Sequence, residues 1–178
     1  MVESPPVTIL DADGVVARMP ELAALLHACV HGGASVNFVL PFPMEEAEAF
    51  WRGKVLPAMA AGTRTVLAVE VDGAIAGSVQ LSTETPPNQP HRADVTKLLV
   101  HPAFRRRGIG RVLMLGLEEE ARARGRTMLN LDTTTGGAAE PLYTGLGFVT
   151  VGVIPHFSLA TTGERLEPTT VMYKRLQP

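Results

Sequence analysis

The sequence predicts one α/β domain over residues 1–178, a mixed and mostly antiparallel sheet flanked by helices. Three observations carry that reading. Two strand-like runs meet at Asp72-Gly73, a dipeptide suited to a two-residue hairpin turn. A strand, a basic glycine-bearing turn and an amphipathic helix then follow one another from Ala93 to about Arg124, with a further strand behind them. The composition, 46% hydrophobic and 19% charged over 178 residues, supplies one compact core and excludes long disorder.

Each element has a local cause. Pro20 to Val30 is predicted as a helix, because a proline in the first turn costs no hydrogen bond and Leu22, Leu25, Leu26 and Cys29 recur on one face. Gly32 and Gly33 stop it. A second helix starts near Met44, carries Glu45, Glu46 and Glu48 in its opening turns, and sets Ala47, Phe50, Trp51 and Val55 on one side. Pro57 is expected to end or kink it. The apolar stretch VNFVLPFP between these helices reads either as a cap on the core or as one wall of a ligand pocket.

Strands are predicted over Thr65 to Val71 and Ala74 to Leu81, and the proline-rich TETPPNQPHR is a loop because its prolines cannot donate to a ladder. A third strand runs from about Ala93 to Val100. After the turn, Ile109, Val112, Leu113 and Leu117 mark the buried face of a helix reaching about Arg124. A strand over about Thr127 to Asp132, a short helix over Ala138 to Leu146, and strands over Val149 to Ile154 and Thr170 to Leu176 complete the order.

Sixteen basic against eighteen acidic residues give a formal charge of -2, so no general cationic field draws the chain to nucleic acid or anionic lipid. A single cysteine, Cys29, forms no internal disulfide and no cysteine-rich metal site. No basic start followed by an apolar segment points to secretion, and no apolar run approaches the ~20 residues of a membrane span. A cytoplasmic protein is expected. His27 and His31 share a helix face, yet lack the carboxylate of a recognisable zinc pattern, so no metal is expected.

The turn Arg105-Arg106-Arg107-Gly108-Ile109-Gly110-Arg111 carries the chemistry. Backbone N–H groups at a helix start point outward with the positive end of its dipole, which suits phosphate. Gly108 and Gly110 let an anion approach the backbone, and the arginines add charge and forked donors. A diphosphate fits better than a neutral ligand. The chain has neither GxxxxGK[ST] nor a complete GxGxxG, so P-loop and dinucleotide-binding classes fit less well.

These residues resemble a known family. LLVHPAFRRRGIGRVLM, then LNLDT, then AAEPLYTGLGFVTVG is similar to the Gcn5-related N-acetyltransferases (GNAT), whose pyrophosphate pattern is met by Arg105, Gly108 and Gly110. The likeness runs from about Arg64 onward. It implies the acyl-CoA N-acyltransferase fold, acetyl-CoA as donor with CoA as product, direct transfer to a small-molecule amine, and a homodimer. Nucleic acid and membrane are not expected partners. The ending, and the N-terminal PELAALLHACVHGGASVNFVLPF, resemble the antibiotic- and toxin-modifying branch. That implies N-acetylation of an aminosugar, the 2′ amino group of kasugamycin, or else of tabtoxinine-β-lactam. A catalytically silent acyl-CoA-binding module is the competing class.

The resemblance also assigns residues. Leu98, Leu99 and Val100 hold the donor through their backbone, with an N–H near Leu99 steadying the thioester carbonyl. Tyr143 matches the family tyrosine near the sulfur and is the general-acid candidate. Asp94 and Asp132 flank the transfer site as candidates for base or ammonium contact. Phe38, Phe42 and Trp51 either cover a sugar face or fill the core. Glu84, Glu70 and His156 are further pocket-edge candidates. Cys29 is expected in the core, not as a nucleophile.

Overall fold

The computed structural model describes residues 5–177, leaving Met1 to Ser4 and Pro178 outside the described residues. The chain orders as β1 (Val7–Leu10), α1 (Ala12–Ala17), α2 (Met19–His31), α3 (Met44–Phe50), α4 (Leu56–Ala60), β2 (Arg64–Val71), β3 (Ala74–Ser82), β4 (Arg92–Val100), α5 (Ile109–Ala123), β5 (Met128–Thr134), α6 (Glu140–Gly145), β6 (Val149–Leu159) and β7 (Leu166–Arg175). The strands form one seven-stranded sheet in the order β1-β2-β3-β4-β5-β7-β6. Every neighbouring pair is antiparallel except β4 and β5, so the mixed, mostly antiparallel sheet is the observed fold.

Helices cover both faces. Against one face α5 buries Ile109, Leu113, Met114, Leu117 and Ala121 on Leu67, Val79, Leu81, Val95 and Leu129. Against the other, Leu22, Leu25, Leu26 and Cys29 of α2 join Phe42, Trp51 and Val55 over Val66 and Ala68. The β2–β3 turn takes positive φ at both Asp72 (52°) and Gly73 (80°), the hairpin geometry that matches strand twist.

Four places differ from the sequence expectation. β1 and α1 precede the first expected element, and Asp11 caps α1 by accepting from the Gly14 N–H at 2.7 Å. A four-residue strand and a six-residue helix are too short for periodicity to show. Of the two outcomes expected at Pro57, an end or a kink, the second helix does not end there. A π-helical turn, Trp51–Val55, widens the backbone just before it, and α4 continues with the proline in its first turn, where the missing N–H is not needed. Finally β6 runs five residues past Ile154, through Pro155, with its pairing to β7 irregular between Ile154 and Ser158. β7 likewise begins at Leu166, four residues ahead of Thr170. β6 is the edge strand of the sheet, where a proline and a bulge are tolerated.

Candidate active site

β4 and β5 make the site by parting. Their parallel register holds only at Arg92↔Met128, Ala93↔Leu129 and Asp94↔Asn130, after which the two strands diverge. A bulge lies on β4 at the same level: its register with β3 shifts between Ser78 and Gln80, and Lys97 takes φ 52°. The bulge breaks the alternation of side chains. Val95 and Leu98, three residues apart, both pack on the α5 side, while Leu99 packs on the α2 side.

A cavity of about 820 Å³ opens in this fork. Its floor is β4 from Val95 to Leu98 and Val100, its far wall Asp132 to Thr134 of β5, and its roof the α2–α3 loop from Gly32 to Asn37. α6 contributes Pro141, Leu142 and Tyr143; Phe157, Ser158 and Glu167 to Thr169 close the end. The Leu40 N–H donates to the Thr161 carbonyl at 2.8 Å and the Thr161 hydroxyl to the Ala34 carbonyl at 3.3 Å, tying the roof to the β6–β7 turn.

One end of the cavity is the turn before α5. Arg105, Arg106, Gly108, Ile109, Gly110 and Arg111 all line it. Gly108 sits at φ 79° and Arg106 at 64°, left-handed conformations of the kind that occur in anion-binding backbone nests. No side chain caps α5, and no acidic residue lies in its first turn, so its N–H groups and dipole remain for an anion. A Cβ at Gly110 would lie 3.1 Å from Leu142 Cδ2, so its absence lets α6 close against α5.

Leu98, Val100 and Tyr143 line the cavity beside this turn. Leu99 is buried with its side chain in the α2-side core, leaving its backbone alone for a donor role. Arg107 points away, its guanidinium 5.3 Å from the centre of the Phe104 ring. Tyr143 is 6% exposed; burial first, and the charge of Asp132 second, push its hydroxyl pKa upward. It therefore holds its proton at neutral pH. Cys29 is 1% exposed, and burial pushes its thiol up to about 11 against the opposing pull of Arg105.

The acceptor-side candidates divide. Asp132 lines the cavity and accepts from the Thr169 hydroxyl at 3.0 Å. Asp94 is outside the lining, ion-paired to Arg92, and burial raises its pKa with Arg92 opposing. Phe38 backs the wall as ring partner of Phe42 (4.6 Å), Phe50 (5.4 Å) and the Lys97 ammonium (5.5 Å). Trp51 and Phe42 belong to the core. Trp51 is fully buried and its indole N–H donates to the Leu22 carbonyl at 3.1 Å, so the sugar-covering position expected for it is not available. Glu84 is exposed beyond β3, Glu70 pairs with Arg18 at 2.6 Å, and His156 is exposed at φ 53° next to the lining residues Phe157 and Ser158. The His27 and His31 rings stack at 4.1 Å, and no metal-ligand cluster occurs among the described residues.

Lys97, Glu167 and Thr169 enter the cavity wall without having been singled out from sequence. Lys97 is the most unusual of them. Burial, with repulsion from Arg64, draws its ammonium down to about 8, against the pull of Asp132. A lysine in a strand gives no sequence signal that a bulge will turn it inward.

Known acetyltransferases share this fold. A protein from Azospirillum brasilense described as an uncharacterized N-acetyltransferase in the hisH-hisA intergenic region is 39% identical over 106 residues, 58% of this chain. The match spans 60% of that relative's length. Among solved structures, a ribosomal-protein-alanine N-acetyltransferase from Brucella melitensis superposes with TM-score 0.78 at 25% identity, covering 96% of this chain and 99% of the other. yncA from Salmonella typhimurium, solved with its cofactor acetyl-CoA, superposes with TM-score 0.76 at 20% identity, covering 98% and 95%. The acetyltransferase (GNAT) family model matches residues 34–148, from the cavity roof through the β4–β5 fork to the strand after α6, and the chain belongs to that family.

Proposed function

We propose that this protein transfers an acetyl group from acetyl-CoA directly to the primary amine of a small molecule. One observation carries the reading: the uncapped, arginine-flanked start of α5 and the buried Tyr143 face the same cavity in the β4–β5 fork. The residues present fit the donor. The backbone N–H groups from Gly108 to Arg111, with Arg105 and Arg106, suit a diphosphate; the β5-facing edge of β4 beyond Asp94, where the two strands no longer pair, suits an amide-bearing arm lying as a further strand. When bound, acetyl-CoA supplies an activated thioester.

The chain's residues do the rest. The β4 backbone near Leu99 orients the carbonyl and receives its developing charge. Tyr143 gives a proton to the departing thiolate, a role that its raised pKa permits in the protonated form it holds at neutral pH. Asp132 holds the acceptor ammonium or, through water, takes its proton. Asp94 would act only after release from Arg92. Placing both substrates in one cavity makes the encounter local and supplies much of the rate.

The acceptor we favour is the 2′ amino group of kasugamycin, whose acetylation removes a cationic donor used against RNA phosphates and so confers resistance. The support is the resemblance of the C-terminal segment and the carboxylates Asp132 and Glu167 on the cavity wall. A second reading, tabtoxinine-β-lactam, is favoured by Lys97 on the floor of the same cavity, since an amino acid brings a carboxylate. The expected homodimer would use β6, an open sheet edge on which Val149, Val151, Val153 and Phe157 are each at least half exposed. Acetyl-CoA-dependent mass gain across kasugamycin, tabtoxinine-β-lactam and several aminoglycosides tests the acceptor. Selective gain on kasugamycin supports the first choice; gain on another amine alone keeps the activity and rejects the drug.

A further inference from the structure

We propose that Lys97, turned into the cavity by the β4 bulge, is a specificity-determining residue that binds a carboxylate on the acceptor, so that of the two acceptor readings above the cavity selects the amino acid, an amine bearing a carboxylate, over the aminosugar that resemblance favours. The inference rests on the reading of this cavity as the acceptor site.

Three structural facts lead to it. The first is placement. Lys97 holds φ 52°, a conformation that costs a side-chain-bearing residue free energy and that glycine would take freely, yet a long cationic side chain stands there. The bulge directs it to the α2 side, where the ammonium lies 5.5 Å from the Phe38 ring centre and 5.6 Å from that of Phe50. Two aromatic faces fix a cation without neutralising it.

The second is the missing counter-charge. Asp132 of β5 attracts the ammonium, but among the described residues no carboxylate forms an ion pair with it. A half-buried cation without a hydrogen-bonded partner in the protein pays part of its desolvation cost, and a ligand anion offsets it. Asp132, on the β5 wall of the same cavity, remains for the ammonium of the same molecule, which gives the zwitterion of an amino acid a complementary group for each charge.

The third is the wall behind Lys97, which holds donors in excess. Arg64 of β2 donates through Nη1 to Gln80 Oε1 at 2.9 Å and to Thr96 Oγ1 at 3.4 Å. Arg64 Nε and the Nε2 of the fully buried Gln80 have no partner among the described residues. Arg64 repels Lys97 and so adds positive potential; its own attraction to Glu84 lies outside the cavity. The groups facing Lys97 are thus Arg64 from β2, Asp132 from β5, and the rings of Phe38 and Phe50 from the roof and α3.

Equilibrium titration of L-alanine, L-methionine and L-phenylalanine against their primary amides, into the CoA-loaded protein at pH 7, tests this without turnover. At least one acid should bind about tenfold or more tighter than its amide. K97M should bring that acid down to the amide's level, K97R should restore part of the difference, and the preference should fade as pH rises above about 8. Equal binding of every acid and amide, no binding of any acid, or a preference that survives in K97M overturns the proposal. Failure of the acetyl-transfer reading shows differently, as acid-selective binding with no acetylated product when acetyl-CoA is supplied.

Discussion

The two ends of the cavity are built by different means. At the end beside α5, the proposed donor end, seven consecutive residues from Arg105 to Arg111 supply six of the cavity-lining positions, and their contribution is mostly backbone: uncapped N–H groups, two left-handed residues and a glycine that lets α6 close. At the acceptor end, Asn37, Lys97, Asp132, Phe157 and Glu167 come from five separate segments and contribute side chains. A shared ligand can be held by backbone geometry that many side-chain choices leave intact. A particular acceptor has to be read by side chains that tertiary structure brings together.

Substitutions at the two ends should therefore fail differently. The largest effect is expected where the halves meet: Tyr143→Phe should lower kcat by roughly 10²–10⁴-fold with little change in the KM for acetyl-CoA, the loss expected for a positioned general acid. Rates with an acceptor of much lower amine pKa would sharpen it, since loss of the proton donor should be felt with every amine. An unchanged kcat would move the proton donor elsewhere.

Next comes Trp51→Ala, expected to cost about 3–5 kcal/mol of stability because the removed ring lies wholly in the core. Chemical denaturation measures it. A variant of normal stability with a raised acceptor KM would return Trp51 to the cavity wall. At the donor end, Arg105→Ala should remove a charge-assisted contact of about 1.5–3 kcal/mol, seen as a KM for acetyl-CoA raised roughly tenfold to a hundredfold, with acceptor KM unchanged. An equal rise for both substrates would mean that the two ends are not separate.

The smallest effect concerns Lys97 and stability. Its folded-state pKa, about 8, lies below the ordinary 10.5, so the unfolded chain binds the proton more tightly. Folding is thus penalised while the group is charged, at pH below about 8, and the penalty is relieved as pH rises from there to 10.5. K97M should accordingly melt higher than the natural protein at pH 7, with the advantage shrinking across that window. Parallel melting curves at all pH values would show that Lys97 is not desolvated.

The same contrast explains what the sequence made legible. The turn and helix at the α5 end were readable because their determinants are contiguous: Arg105, Gly108 and Gly110 keep a fixed spacing, and the helix behind them repeats Ile109, Leu113 and Leu117 on one face. The hairpin at Asp72-Gly73 was readable for the same reason. The short β1 and α1 and the length of β6 were not, since four to six residues carry no period and Pro155 argues against a strand unless that strand is an edge. Trp51 and Phe38 looked equivalent as aromatic residues near an apolar loop. Their difference arises from the π-helical turn, which seats Trp51 under α2, while Phe38 stays in the roof near Lys97. Lys97 was hidden because a bulge depends on pairing with β3, not on residues beside it.

One cavity is expected to hold donor and acceptor together, and the acetyl group to pass between them without resting on the protein. Initial rates measured with both substrates varied, together with the intact mass of the protein after exposure to acetyl-CoA alone, test it most directly. Intersecting reciprocal plots and an unmodified protein are predicted, in keeping with the raised thiol pKa of the buried Cys29. Parallel plots with one acetyl group gained by the protein would contradict the account.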